Sequence, residues 1–172
     1  MKRDFLKLLK TLEEDELREE LQMLYDRFPA VKEYYRLELS ANTAAVLDKY
    51  KKQIRKAFFT GRGRRMGKRG RSNSKKTLKE FAQVSIHARD LVELHFYRVR
   101  VMLEAADFYY VTNEGFHQSI VSSYAEACRL AEKEVLLDSF REPARKLIPL
   151  AYFESVEWAL REVFGRHWPD NN

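Results

Sequence analysis

Residues 90–112 read DLVELHFYRVRVMLEAADFYYVT, and no other stretch of the chain says as much about its architecture. Its apolar side chains recur at helical spacing on two adjoining faces. They leave only a narrow polar strip of Arg98, Arg100, Glu104 and Asp107. Because a helix apolar over so much of its circumference is typical of a domain centre, we expect a long central helix. Asp90 is its expected cap, and it should run to about Thr112.

Two amphipathic helices are predicted at the start of the chain. At the spacing of successive helical turns, the first presents an apolar face of Phe5, Leu8, Leu9 and Leu12. A capping box of Thr11 with Glu14 begins the second helix. The other faces of the second helix carry acidic runs at residues 13–16 and 19–20, and its apolar face consists of Leu17, Leu21, Leu24 and Phe28.

Three further helices are predicted before the central one. Pro29 suits the first turn of a third helix, and Ser40 or Asn42 caps a fourth that extends to about Phe59. After an intervening loop, a fifth helix starts beyond Ser74 and faces inward with Leu78, Phe81, Ala82 and Ile86.

The remainder of the chain is also helical by its spacing. A turn at residues 113–115 ends the central helix, and the next helix begins near His117 with an inner face of Ile120, Tyr124, Cys128, Ala131 and Val135. Pro143 and Pro149 divide the following residues into a short helix and a final one that ends near Gly165.

No β-strand alternation of useful length occurs anywhere in the chain. We therefore predict an all-α fold, a single helical domain over residues 1–172 with about seven or eight helices. Both an antiparallel bundle and a short α-solenoid are compatible with helices of this length and with their short connections.

The net charge of +6 conceals two parts of opposite sign. Fourteen of the 32 basic residues lie between Lys49 and Lys79, where no acidic residue occurs. The rest of the chain contains the other 18 basic residues and all 26 acidic residues, which gives it a net charge of −8. The chain is thus a mildly acidic protein with one concentrated cationic segment of +14.

Within this segment the sequence predicts a mobile Gly/Arg/Lys-rich loop over residues 60–74. Four of the six glycines fall at residues 61–70, and glycine together with like charges disfavours a helix. Cations spaced by glycines can follow an irregular phosphate backbone and release its counterions. The candidate polyanion-binding residues are Arg62, Arg64, Arg65, Lys68, Arg69 and Arg71, with Lys75 and Lys76 in support.

Two functions from different classes fit this loop. The first is a binding module for nucleic acid, RNA or single strands, without sequence preference, since no RNA-recognition, KH or cold-shock signature accompanies it. The second is a helical protein–protein interaction scaffold whose loop docks an acidic partner or a second copy. The acidic residues in the rest of the same chain could also pair with the cations of the loop. Lys49, Lys52 and Lys56 recur at helical spacing and are expected to frame it.

No catalytic, cofactor or metal motif is found, so the sequence predicts a protein that is not an enzyme and uses no cofactor. No GxxxxGK[ST] loop, GxSxG elbow or HExxH pair occurs. Cys128 and His95 are expected to be structural core residues. A site built from scattered Tyr, Glu and His side chains remains an alternative that a closed polar pocket would favour.

Several short strings resemble a bacterial family catalogued only as a domain of unknown function, over nearly the whole chain. The likeness is carried by residues 8–12 (LLKTL), 24–28 (LYDRF), 31–35 (VKEYY), the basic loop leading into 74–76 (SKK), and 136–140 (LLDSF). The resemblance implies a bacterial cytosolic setting and supplies no activity. Consistent with that setting, the longest uncharged stretch is residues 115–125, too short for a membrane span, and the single cysteine cannot form an internal disulfide.

Overall fold

The computed structural model describes residues 1–39, 43–60, 65–85 and 87–169. Within these residues it contains nine α-helices, one 3₁₀-helix and no β-strand, which confirms the predicted all-α fold. The α-helices are α1 (Lys2–Leu9), α2 (Glu14–Arg27), α3 (Pro29–Leu39), α4 (Thr43–Phe58), α5 (Gly70–Val84), α6 (Ala88–Phe108), α7 (Glu114–Lys133), α8 (Leu137–Arg145) and α9 (Glu154–His167). The 3₁₀-helix is Ile148–Leu150.

The central helix predicted from the sequence is α6. It packs against α4, α5, α7 and the 3₁₀-helix, so side chains on most of its sides are enclosed. No surface of Val92, Leu94, Val99, Val101 or Met102 is exposed. Because burying one such side chain contributes about 1.5–3 kcal/mol, α6 supplies much of the apolar area that stabilises the fold.

Helix α7 lies along α6 and also contacts α8 and α9. Its predicted inner residues Ile120, Tyr124, Cys128 and Ala131 are buried. The Tyr124 hydroxyl donates to the Ala144 carbonyl at 3.1 Å and so links α7 to α8. The placement of Val135 on this face is wrong. The helix ends at Lys133, and Val135 is 90% exposed in a left-handed turn with φ of 58°.

Helix α5 begins at Gly70, not after Ser74. Gly70 lies so close to the Phe58 ring that an added Cβ would be 2.7 Å from Phe58 Cδ1, and Ser74 is fully buried. This packing offsets the low helix propensity of glycine. The predicted loop over residues 60–74 is therefore wrong for residues 70–74, which are helical. Leu78 and Phe81 face the core as predicted, whereas Ala82 is exposed.

The ends of α1 and α2 depend on local hydrogen bonds that differ from the predicted capping box. The Thr11 hydroxyl donates to the Leu8 carbonyl at the end of α1, at 2.8 Å. Glu13 caps α2 instead, and its backbone N–H donates to the Glu16 carboxylate at 2.8 Å. The predicted Thr11–Glu14 pair is therefore wrong, and the second helix begins at Glu14, two residues later than a cap at Thr11 would place it.

The boundaries of α6 also differ from the prediction. The helix begins after His87, so Asp90 lies in its first turn and is not its cap. It ends at Phe108, short of Thr112. Residues 113–115 begin α7 and do not form a terminal turn, because the Asn113 side chain accepts a hydrogen bond from the Phe116 N–H at 3.0 Å.

Two expected helix breaks are absent from the described residues. Pro143 lies inside the last turns of α8, and the chain leaves helical geometry only after Arg145, around the 3₁₀-helix that contains Pro149. Gly165 lies within α9 and does not end it. The end of α9 is held by Trp168, whose indole Nε1 donates to the Leu137 carbonyl at 3.0 Å.

Helices α3 and α4 match the prediction closely. Helix α3 begins at Pro29, and α4 ends at Phe58, one residue before the predicted end. The candidate caps Ser40 and Asn42 lie outside the described residues, as does Ile86, for which an inward position was expected.

Both N-terminal helices form, although α1 ends at Leu9 and Leu12 lies outside it, and their apolar faces are largely unpacked. Phe5, Leu8, Leu21 and Phe28 are between 45% and 55% exposed. Helix α2 packs mainly on α3, which in turn packs on α5. The start of the chain therefore presents exposed apolar side chains on two consecutive helices.

Candidate polyanion-binding cleft

Arg98 is almost completely buried, at 5% exposure, although the sequence placed it on the polar strip of the central helix. Its Nε donates to Ser74 Oγ at 2.9 Å, and its Nη1 donates to Ser123 Oγ at 2.6 Å. Among the described residues it forms no ion pair with a carboxylate. Burial lowers the pKa of this guanidinium, and the charge of Glu126 opposes that shift.

A buried cation of this kind is energetically costly. Removing an arginine from water costs several kcal/mol unless an opposite charge compensates it, and the two serine hydroxyls are neutral. The Arg98 charge is therefore only partly compensated by this chain. Such an arrangement favours the binding of an anion beside the guanidinium.

Arg98 lies at an open cleft of about 660 Å³ between the start of α5 and one face of α7. We call this the cationic cleft. Six cationic side chains line it: Lys68, Arg69, Arg71, Lys75, Arg98 and Arg129. Four hydroxyls also face it, those of Ser72, Ser119, Ser122 and Ser123. Glu126 is the one carboxylate in the described lining, and no apolar side chain belongs to that lining.

Arg71 joins the two sides of the cationic cleft. Its Nη1 donates to the Gly115 carbonyl at 2.9 Å and to Ser119 Oγ at 3.0 Å, which ties α5 to α7. The guanidinium carbon also lies 5.9 Å from the centre of the Phe116 ring, within the range of a cation–π contact. Arg71 therefore has a fixed position at the wall of the cleft before any ligand arrives.

The structure brings together four of the eight residues predicted for polyanion binding: Lys68, Arg69, Arg71 and Lys75. Arg65 and Lys76 do not belong to the lining, and Lys76 Nζ lies 3.7 Å from a carboxylate oxygen of Glu80. Arg62 and Arg64 lie outside the described residues. The two chain segments that frame the cleft are thus the start of α5 and the middle of α7.

Sequence reasoning missed the contribution of α6 and α7. On α7, the spacing of Ser119, Ser122, Ser123, Glu126 and Arg129 places these side chains along one helical face, and this signal was available. No comparable signal marked Arg98, because the sequence does not show that its strip of α6 faces Ser74 and Ser123.

Lys49, Lys52 and Lys56 do not frame the cleft as expected, because none of them belongs to its lining and all three lie together along another groove on α4. Several cations of α4 are also paired with carboxylates. Lys49 Nζ lies 3.1 Å from Glu33, and Lys51 Nζ lies 2.6 Å from Glu93. Arg55 pairs with Glu104, and this contact raises the pKa of Arg55. Part of the +14 segment is therefore neutralised by acidic residues of α3 and α6.

The acidic face of α2 is not the counterpart of the basic segment in the described residues. Arg18, on the same helix, pairs with Glu14 and Asp15. No described ion pair connects α2 to residues 65–79. The cationic cleft thus keeps most of its positive charge.

A second cleft, of about 630 Å³, lies between α6 and α8 and differs in character. Phe96 and Phe140 stack in its lining with their ring centres 5.5 Å apart. Arg89 and Lys51 place their charges over the rings of Phe140 and Tyr97, respectively. None of the eight predicted polyanion-binding residues lines this cleft.

The two residues predicted to belong to the core, Cys128 and His95, differ in burial. Cys128 has no exposed surface, which confirms the expected buried cysteine. Burial raises the pKa of its thiol to about 12, so the nucleophilic thiolate is unpopulated at neutral pH. His95 is half-buried, and burial lowers its pKa. No group of three or more His, Cys, Asp or Glu side chains in the described residues could hold a metal ion.

A model of a family of unknown function, DUF6155, matches residues 1–168. The chain belongs to the DUF6155 family. This confirms the resemblance to an uncharacterised family of this length. No curated protein and no solved structure matches this DUF6155 chain. None of its described helices is both long enough and apolar enough to cross a membrane.

Proposed function

We propose that this DUF6155 protein is a non-enzymatic module that binds nucleic acid in the form of RNA or single strands. It would contact the phosphate groups of the strand. The observation that carries the proposal is the convergence of six cations on one cleft, from α5, α6, α7 and the turn before α5, with Glu126 as the single carboxylate of the described lining. Four of these cations belong to the segment that the sequence singled out, and Arg98 adds a buried charge that has no ionic partner in the described part of the chain.

The composition of the cleft supports recognition without sequence preference. Arginine forks and lysine ammonium groups match phosphate oxygens, and serine hydroxyls add neutral hydrogen bonds. The described lining contains no aromatic side chain on which a base could stack. Contacts to phosphate fix the register of a strand but carry no sequence information. Strands of different sequence are therefore expected to bind with similar affinity.

The test is the affinity of the full chain for a labelled 20-nucleotide single-stranded RNA, measured by fluorescence anisotropy. Replacing Lys68, Lys75 and Arg129 by Gln removes three exposed cations of the cleft and should weaken binding by at least tenfold at low salt. The matched control replaces three exposed cations outside the cleft, Lys133, Arg145 and Arg161, by Gln. Equal affinity of both variants would contradict the proposal.

The exposed apolar face of α1 and α2 favours a second candidate function, protein–protein interaction. The partner that would cover this apolar face is a second copy of this chain, because α1 and α2 carry charges of opposite sign. Helix α1 contains Lys2, Arg3 and Lys7 with one acid, Asp4, whereas the first turn of α2 is entirely acidic (Glu14, Asp15 and Glu16). Pairing α1 of one copy with α2 of another would cover both apolar faces and match their charges.

Light scattering after size-exclusion chromatography tests this second candidate. The full chain should be a dimer at micromolar concentration, and reversal of Lys2, Arg3 and Lys7 to Glu should make it a monomer. A second variant, with Glu14, Asp15 and Glu16 changed to Lys, should restore a dimer when it is mixed with the first. A monomeric wild-type chain at 100 μM would rule out a second copy as the occupant.

We place both functions in the bacterial cytoplasm. The single, fully buried cysteine suits a reducing compartment, and nucleic acid is available there. Detection of the protein in the soluble cytoplasmic fraction of the source cell is the expected result, and recovery in the periplasmic fraction would contradict it.

A further inference from the structure

We infer that the cationic cleft selects the terminal phosphomonoester of a strand over the phosphodiesters within it. This inference rests on the proposed function, since the strand is the ligand in both. It specifies the chemical group that the cleft prefers, a terminal phosphomonoester, and assigns that preference to Arg98.

The first step is the fixed position of Arg98. The Ser74 hydroxyl donates to the Arg71 carbonyl at 3.1 Å and accepts from Arg98 Nε. The Ser123 hydroxyl donates to the Ser119 carbonyl at 2.5 Å and accepts from Arg98 Nη1. Each serine is therefore anchored to its own helix and holds one edge of the guanidinium. The plane of the guanidinium is set before a ligand binds.

Second, the fixed guanidinium of Arg98 keeps one nitrogen available for a ligand. Arg98 Nη2 has no hydrogen-bond partner among the described residues, although Arg98 lines the cleft. An unpaired N–H group of a cation, preorganised at a cleft wall, can donate to a phosphate oxygen without a cost for ordering the side chain.

The third step is the depth of Arg98 compared with the other cations. Lys68, Arg69, Lys75 and Arg129 are exposed at the cleft, whereas Arg98 is 95% enclosed. A phosphodiester within a strand continues on both sides, so the strand remains among the exposed cations. A terminal phosphomonoester is bonded on one side only and can enter the cleft as far as Arg98.

The charges favour the same group. A phosphomonoester carries a charge of about −1.5 to −2 at pH 7 and presents three acceptor oxygens, whereas a diester carries a single charge. The extra charge lies beside an arginine that has no carboxylate partner among the described residues. The exposed cations hold the adjoining nucleotides, and Arg98 recognises the end.

The experiment compares three 10-nucleotide RNAs of one sequence, with a 5′-phosphate, with a 3′-phosphate and with neither, each labelled at an internal base. Wild-type protein should bind one of the phosphorylated strands about tenfold more tightly than the unphosphorylated strand. The strand that gains affinity identifies which end the cleft recognises. Equal binding of all three strands would overturn the inference and leave the proposed function intact. No binding of any strand would overturn the proposed function itself.

Two variants assign the preference to Arg98. Arg98→Gln should remove the preference for the phosphorylated strand and keep most of the affinity for the unphosphorylated one. Lys75→Gln, the control at an exposed position of the same cleft, should weaken binding to all three strands and keep the preference. Should Arg98→Gln fail to fold in a thermal unfolding check, Ser123→Ala is the second variant, because it releases one anchor of the guanidinium. A preference unchanged in a folded Arg98 or Ser123 variant would contradict the role of Arg98.

Discussion

At the residue scale, the environment of a side chain decides what its chemistry can do. Arg98 and Arg100 are two positions apart on α6, yet Arg98 is buried between two serines, whereas Arg100 is exposed and donates to Glu104 at 3.0 Å. Arg98 lacks an ionic partner in the described residues, and its charge favours an anion in the cationic cleft. Arg100 forms a solvated helix-surface pair of the kind that contributes about 0.3–0.5 kcal/mol.

Cys128 is expected to be unreactive in the folded protein. Its thiol is fully buried and burial raises its pKa to about 12, so both access and thiolate are lacking. Reaction with Ellman's reagent at pH 8 should be negligible under native conditions and should reach one thiol per chain in 6 M guanidinium chloride. Rapid reaction of the native protein would contradict the buried position.

The same burial predicts that stability falls at alkaline pH. The native pKa of Cys128, about 12, exceeds the ordinary value of 9.0, and that of Tyr50 rises from 10.0 to about 12. The unfolded chain therefore loses these protons first, so stability is complete below about pH 9 and declines as the pH rises towards 12. For Cys128 alone the loss at pH 10.5 is about 2 kcal/mol. Urea unfolding at pH 8 and pH 10.5 measures it, and Cys128→Ala should reduce the difference.

At the element scale, close packing sets the start of α5 and thereby one wall of the cationic cleft. Gly70 permits the first turn of the helix to lie against the Phe58 ring, and the following residues place Arg71, Ser74 and Lys75 opposite α7. The start of α5 thus depends on tertiary packing, because Gly70 packs against the ring of Phe58 at the end of α4.

Gly70→Ala should therefore destabilise the protein. The new Cβ would lie 2.7 Å from Phe58 Cδ1 and 3.2 Å from the Ala57 carbonyl oxygen, an overpacking that costs about 1–3 kcal/mol. Gly165→Ala is the matched control, since Gly165 lies within α9 with no atom within 4 Å of its added Cβ. That variant should gain about 0.5–1 kcal/mol. Urea unfolding measures both, and a stabilised Gly70→Ala variant would contradict the described contact.

At the scale of the whole molecule, the sequence predicts the helices well and their assembly poorly. The central helix could be predicted because apolar residues nearly encircle residues 90–108. The start of α5 could not, because its Gly-Arg-Ser-Asn-Ser stretch has low helix propensity and depends on Phe58. The exposed faces of α1 and α2 could not either, since helical periodicity shows which residues share a face and not what that face contacts.

The candidate site could be predicted in part for the same reason. The charge count located the basic segment, and four of its cations line the cationic cleft. Arg98 and Arg129 come from helices distant in sequence, and their convergence depends on how α6 and α7 pack. Conversely, the exclusion of Lys76 from the lining reflects its position on α5, where its ammonium faces Glu80.

The salt dependence of RNA binding tests the central claim most directly. If about six cations engage the phosphates, the logarithm of the association constant should fall with the logarithm of salt concentration at a slope of roughly −4. The variant with Lys68, Lys75 and Arg129 replaced by Gln should reduce that slope by about 2. A slope near zero for the wild-type chain, or an equal slope for the variant, would contradict phosphate binding in the cationic cleft.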